Sequence, residues 1–259
     1  MAELNGAPVS QDELKALALV NYGHFTSMRV ENQGIRGYSH HIERLVRDCR
    51  TLFGADLNRD QVREYVRQAI SGREGAFVVR VTVFDPALEL GRPGGPAEPN
   101  VLVTTRPAGS LPASPLRVQT ATYVRDLPEV KHVGLFGALW HRRNAQLDGF
   151  DDCLFTDADS FVSEGATWNV GFFDGHQVVW PNAEILLGVT MRLIQQVHEA
   201  TSLAPVNISD LPRMEAAFAT NTAIGVRAIT AINDVEFPGE HPILETLRKE
   251  YEEIPAEAV

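Results

Sequence analysis

Lysine, cysteine and long apolar runs are what this 259-residue chain has least of. Only three of its 23 basic residues are lysines: Lys15, Lys131 and Lys249. Acidic residues number 34, which leaves a formal net charge of -11. So acidic a chain repels phosphate backbones and anionic lipid, and neither nucleic acid nor a membrane is expected as a partner. The two cysteines, Cys49 and Cys153, have no CxxC neighbour and no metal-ligand spacing. They point to buried thiols in a reducing compartment rather than to a disulfide framework. No stretch approaches the roughly 18 apolar residues that a membrane span needs. The start, Met-Ala-Glu-Leu-Asn, has no basic segment and no apolar core, so a cytoplasmic protein is expected. GxGxxG, GxxxxGK[ST] and GxSxG are all missing, which removes support for dinucleotide, P-loop and serine-hydrolase sites. His40 and His41 are adjacent rather than four apart, and the other histidines are scattered. No metal is expected, because zinc needs three or four convergent ligands.

What is present suits a folded core: 44% of residues are hydrophobic and 22% charged, against the low hydrophobicity of disordered chains. Asn5-Gly6 marks a hairpin. Residues 25–30 read as a strand, turned at Asn32-Gln33-Gly34 and returning over 35–38. Ser39 is placed to cap a helix whose apolar face is Ile42, Leu45, Val46, Cys49, Leu52 and Phe53, with Gly54 at its end. Asn58 with Gln61 resembles a capping box and opens a second helix with Val62, Val66, Ala69 and Ile70 inward. Strands are expected over 76–84 and 101–105. The proline-rich run 107–115 reads as a linker. Beyond it the pattern gives strands at 116–124, 153–156, 169–173 and 178–180, and helices at 135–147, 187–200 and 242–253. The order predicts two α+β units, residues 1–108 and 116–259, joined by a linker at 109–115.

Among the three lysines, Lys15 and Lys249 sit beside acidic residues in segments that read as exposed terminal helices. Lys131 differs. It follows Pro128 and Val130 and precedes His132, Val133, Gly134, Leu135 and Phe136, which are mostly apolar. A lysine held there loses solvation, which lowers its pKa toward a nucleophilic amine. Further on come Ser163-Glu164-Gly165 and Asn169, then Leu187-Gly188-Val189-Thr190 opening a helix. A glycine and a hydroxyl at a helix N-terminus form an anion site. Thr220-Asn221-Thr222-Ala223 adds two hydroxyls in an otherwise apolar run, and Arg44 lies on the polar side of the first helix.

Taken in order, these segments resemble the class IV aminotransferases, the fold type IV enzymes that use pyridoxal 5'-phosphate (PLP). The run 21–30, Asn-Tyr-Gly-His-Phe-Thr-Ser-Met-Arg-Val, looks like that family's opening Gly-Asp-Gly-x-Phe-Glu-Thr-x-Arg. His41-Ile42-Glu43-Arg44-Leu45 is similar to its His-x-x-Arg-Leu helix, and Val130-Lys131 to its Ile-Lys. Ser163-Glu164-Gly165 through Asn169, Leu187 to Thr190, and Phe218 to Ala223 match the remaining motifs. The resemblance implies an α+β fold, with a small N-terminal α/β sandwich and a larger C-terminal α/β barrel-like domain that binds PLP. It implies Lys131 as the Schiff-base and proton-shuttling lysine, with Glu164 facing the pyridine nitrogen. Arg44, Gly188, Val189, Thr190, Asn221 and Thr222 would hold the phosphate end. It further implies a homodimer and a transaminase that takes a small amino acid or amine and a keto acid.

The opening Gly-Asp-Gly is Asn21-Tyr22-Gly23 here, and other departures bear on the chemistry. Thr26 replaces the usual acid, as in the aminodeoxychorismate lyase branch. Gly134 interrupts the residues after the lysine. Phe136 stands where many members carry a tyrosine, and it cannot donate a hydrogen bond. A PLP lyase that releases pyruvate, with Thr26, Ser27 and Arg29 as candidate substrate contacts, is therefore the first alternative, and Phe136 is a further substrate candidate. A non-catalytic binding member is the second, opposed by the intact Lys131 and Glu164. Arg29, Arg80, Arg92 and Arg125 are all candidates for a substrate carboxylate.

Overall fold

The computed structural model describes residues 2–259. They form two compact units, one of residues 2–109, 130–134 and 255–259, the other of residues 110–129 and 135–254. The first unit runs β1 (Ala2–Leu4), β2 (Ala7–Pro8), α1 (Gln11–Val20), β3 (His24–Glu31), β4 (Gly34–Ile35), α2 (Tyr38–Phe53), α3 (Arg59–Ile70), β5 (Phe77–Phe84) and β6 (Asn100–Pro107). The second runs β7 (Leu116–Thr122), α4 (Phe136–Leu147), β8 (Asp152–Thr156), β9 (Val162–Gly165), β10 (Asn169–Phe173), β11 (Val178–Pro181), α5 (Val189–Val197) and β12 (Thr201–Ala204). It continues through a 3-10 turn at Ile208–Arg213 to β13 (Ala216–Asn221), β14 (Gly225–Ile232), β15 (Val235–Glu236) and α6 (Pro242–Glu253). A last strand, β16 (Glu257–Ala258), completes the sheet of the first unit.

That first sheet is antiparallel throughout, in the order β16-β4-β3-β5-β6-β1-β2. Side chains alternate across a strand, so its two faces have different jobs. Met28, Val30, Val79, Val81, Val83, Val101 and Val103 meet Ile42, Leu45, Cys49, Val62 and Val66 of α2 and α3 in one buried cluster. The register Ser27↔Arg80 and Phe25↔Thr82 puts those four residues together on the other face.

Helix α2 begins one residue before Ser39, with Gly37 as its N-cap and no side-chain cap. Ser39 does not cap it, because its amide and hydroxyl both donate to the Glu257 carboxylate, at 3.1 and 3.2 Å. Asn58 does cap α3, accepting from the amides of Asp60 and Gln61. Gln61 turns instead to the Tyr65 hydroxyl, so the capping box is half made.

In the second unit β10-β13-β14-β7-β8-β9 form a ring that closes where β9 meets β10 at the pair Asn169↔Glu164. The contacts β14–β7 and β7–β8 are parallel. Val118, Leu154, Val162, Val170, Phe172, Ala219 and Ile229 come from all six strands and converge in one cluster. A small barrel filled by its own side chains has this arrangement. The alternate residues Ala216, Phe218, Val226 and Ala228 face outward onto Leu193, Ile194, Leu244 and Leu247 of α5 and α6. The expected sandwich and barrel are thus both present. No helix among the described residues is long and apolar enough to cross a membrane.

Candidate active site

Lys131 belongs to the first unit, pinned to the start of β3. Its carbonyl accepts from Phe25 N at 2.8 Å, and its amide donates to Asp48 Oδ2 at 3.0 Å. Val133 N donates to Gly23 O at 2.9 Å, and His132 bridges His24. The partly buried side chain carries Nζ to 4.9 Å from the Phe25 ring centroid. The lysine is therefore held by backbone bonds at both ends of a short segment, an arrangement that preorganises a reactive side chain.

On α2, His41, Arg44 and Asp48 recur at i, i+3 and i+7 and are buried to 1%, 7% and 0% exposure. This polar stripe runs along the buried side of the helix, whereas the sequence placed Arg44 on its polar side. Burial, opposed by Asp48, lowers the pKa of Arg44 to about 10, so the guanidinium stays charged at neutral pH. Its Nη2 donates to Thr26 Oγ1 at 2.6 Å, and its Nε has no protein partner. Thr26, read from the sequence as a substrate contact, is wholly buried, with its hydroxyl also 2.6 Å from His41 Nδ1. Arg29, the other such residue, is engaged by Glu31 Oε1 at 2.6 Å and by Gly109 O at 2.9 Å.

In the second unit Glu164 is 6% exposed on β9. Its Oε1 accepts from Arg125 Nε at 2.9 Å and from Leu186 N at 3.4 Å. Arg125 also donates to Pro128 O, so it is committed to this ion pair. A cavity of about 370 Å³ has Arg125 and Glu164 in its wall, with Tyr123, Phe155, Asp157 and Ser163.

Asn169, the partner of Glu164 across the ring closure, clamps the turn before α5. Its Nδ2 donates to Leu186 O at 2.8 Å and its Oδ1 accepts from Gly188 N at 3.1 Å. A Cβ on Gly188 would overlap Asn169 Oδ1, so glycine is required by the clamp. Gly188 is the N-cap of α5 and has no capping side chain, and Val189 and Thr190 are the first helical residues. The amides of such a first turn have no intrahelical acceptor and suit an anion. The Thr190 hydroxyl is buried, 3.5 Å from that of Tyr251.

Asn221, expected at the phosphate, builds the following turn instead. Its Oδ1 accepts from Ala223 N and Ile224 N, and its Nδ2 donates to Thr167 O. Thr222 stands at the tip of that turn, partly buried. The structure thus ties Glu164, Gly188 and Asn221 to one loop, residues 164–169. Phe136 is apart from them, 80% exposed at the start of α4 and stacked on Trp140.

Sequence reasoning missed the functions of His41, Asp48 and Asn169 and the pairing of Arg125 with Glu164. For the first two a signal existed: polar residues at helical spacing. The ion pair joins residues far apart in the chain and leaves no local trace.

The sequence model of the family described as amino-transferase class IV matches residues 23–232. A probable branched-chain-amino-acid aminotransferase of Rickettsia bellii is 27% identical over 125 residues, which is 45% of this chain and 43% of that protein. The match therefore spans less than half the length of that relative. A branched-chain aminotransferase of Thermoproteus uzoniensis, solved with norvaline, superposes with a TM-score of 0.86 over 97% of this chain and 93% of its own, at 19% identity. A hypothetical aminotransferase from Mycobacterium tuberculosis, in its PLP-bound form, gives 0.82 over 97% of both chains at 17% identity. At such identities the structures speak for the fold, and the family model, reaching across most of the chain, speaks for descent. The chain belongs to the class IV aminotransferases.

Proposed function

We propose that this protein is a PLP-dependent aminotransferase that moves an amino group between a small amino acid or amine and a keto acid. The observation that carries the reading is Arg44, a buried cation whose Nε has no protein partner. Burying a charge without full pairing is costly, and a phosphate would supply the missing acceptor. The other residues suit the same group. Gly188 caps α5 with no side chain, so the first amides of the helix are open, and Glu164 is a buried carboxylate.

When bound, PLP supplies an electron sink conjugated to the amino group under attack. Lys131 would hold the cofactor through Nζ and would carry the proton at the substrate's α-carbon. Glu164 would keep the ring nitrogen protonated, with its carboxylate fixed by Arg125. Arg44, the amides of Val189 and Thr190, and Thr222 are the groups that would hold the phosphate.

Arg80 is the arginine best suited to a substrate carboxylate. Arg29 and Arg125 are already paired, and Arg92 lies exposed in the irregular segment 91–99. Arg80 lies 3.6 Å over the Phe25 ring, the same ring that Lys131 approaches. Burial and then the nearby Arg106 lower its pKa, and a docking anion would relieve both. A homodimer fits the apolar side of α4, where Phe136, Leu139, Trp140 and Leu147 are exposed; light scattering tests that assembly.

The deciding experiment is spectroscopic. Purified protein with PLP should absorb in the visible to near-ultraviolet, lose that band to borohydride, and carry the reduced label on the Lys131 peptide. A Lys131→Ala variant that still takes the reducible label would overturn the reading. An amino-donor screen then gives a new amino acid from an added keto acid. Pyruvate released from aminodeoxychorismate, with no acceptor required, would make the enzyme a lyase instead.

A further inference from the structure

Three buried groups of the first unit meet in one hydrogen-bonded cluster. Thr26 Oγ1 lies 2.6 Å from Arg44 Nη2 and 2.6 Å from His41 Nδ1, and Arg44 Nη2 lies 3.4 Å from the same Nδ1. Arginine only donates. The hydroxyl and Nδ1 therefore both accept from Arg44. An accepting Nδ1 carries no proton, so the hydroxyl's own proton goes to it. The histidine proton is consequently on Nε2, a buried atom with no protein partner, and the ring is neutral.

The surroundings agree. His41 is 1% exposed, and the charges that face it, Arg44, Lys131 and His40, add to burial in opposing a second proton. A neutral ring with its acceptor side toward the arginine is the form that does not repel it. Thr26 is the hinge of the arrangement, because its hydroxyl accepts on one side and donates on the other.

We propose that Thr26 is a positioning residue for Arg44: with neutral His41 behind it, its hydroxyl fixes the guanidinium that binds the cofactor's phosphate. The proposal rests on the PLP reading for its consequence but not for its geometry. A Val at 26 keeps the shape and removes the hydroxyl, so that Nη2 and Nδ1 both lose their buried partner. A Ser restores it.

The test has two arms. In cofactor-free wild-type protein, nitrogen-15 spectra of the histidine rings should place the His41 proton on Nε2. A proton on Nδ1 overturns the proposal whether or not PLP binds. In the second arm PLP is titrated into apoprotein and read by fluorescence. Thr26→Val should weaken binding by roughly tenfold or more, the scale of one lost charge-assisted hydrogen bond, and Thr26→Ser should recover most of it. An unchanged dissociation constant in folded Thr26→Val overturns the proposal. Failure of wild-type protein to bind PLP at all would instead defeat the aminotransferase reading and leave the first arm to decide the geometry.

Discussion

At the scale of the residue, the ion pair of Glu164 with Arg125 separates structure from chemistry. Both side chains are about 8% exposed, and removing one partner of a buried pair leaves a charge that nothing satisfies. Arg125→Met should therefore cost about 3–5 kcal/mol in unfolding free energy, measured by urea denaturation. Glu164→Gln keeps an acceptor for Arg125 and should cost much less. It removes the charge proposed for the ring nitrogen, so turnover should collapse while PLP remains bound. A Glu164→Gln enzyme with near wild-type kcat would end that assignment. Glu164 itself was legible, because glutamate, glycine and a later asparagine form a spaced motif. Arg125 was visible only as one arginine among four, since its commitment depends on a partner brought near by folding. Thr26 shows the opposite limit: its departure from the family's acid was plain, but its meaning lay in Arg44 and His41.

Among the elements, the turn before α5 is the most demanding. Asn169 holds it from both sides, at Leu186 O and Gly188 N, and leaves no room for a Cβ on residue 188. Gly188→Ala should push Asn169 out of place, lower the Tm and weaken PLP binding together. Asn169→Ala should lose the two bonds but also remove the obstructing oxygen. The pair should therefore be non-additive, with the double variant less impaired than the sum of the singles. Strict additivity in Tm and in the dissociation constant would refute the clamp. The glycine and the asparagine were each readable in the sequence as motif residues. That one exists to accommodate the other was not, because one opens β10 and the other caps α5. Helix α2 was legible in its apolar face and misread at its start, where Glu257, from the far end of the chain, takes the serine that looked like a cap.

Over the whole molecule, periodicity located most strands, but pairing order was beyond it. Closure of the ring rests on Asn169 opposite Glu164, and the first sheet accepts β16 from the chain's end. Neither pairing has a local signature. An acidic total, likewise, does not show that the first unit buries cations beside histidines. His24 is wholly buried with both ring nitrogens unpartnered, and burial, Arg44 and Arg47 push its pKa down to about 3 from 6.5. His41 is held well below the same ordinary value. Both rings are neutral in the folded state, whereas unfolded histidine takes up a proton near pH 6.5. Their contribution to stability is thus complete above pH 6.5 and is lost as pH falls from there toward the folded pKa values. Each should remove about 1.4 kcal/mol per pH unit in that window. Glu13, Glu31 and Asp174 also have lowered pKa values, but their window begins below the carboxylate range, so the interval from pH 6.5 to 5 isolates the histidines. Urea midpoints taken across it should fall steeply in the wild type. His24→Phe should flatten the slope by about half, whatever it does to the midpoint at pH 7.5. A slope that survives this substitution unchanged would mean that His24 is protonated in the fold, against its surroundings.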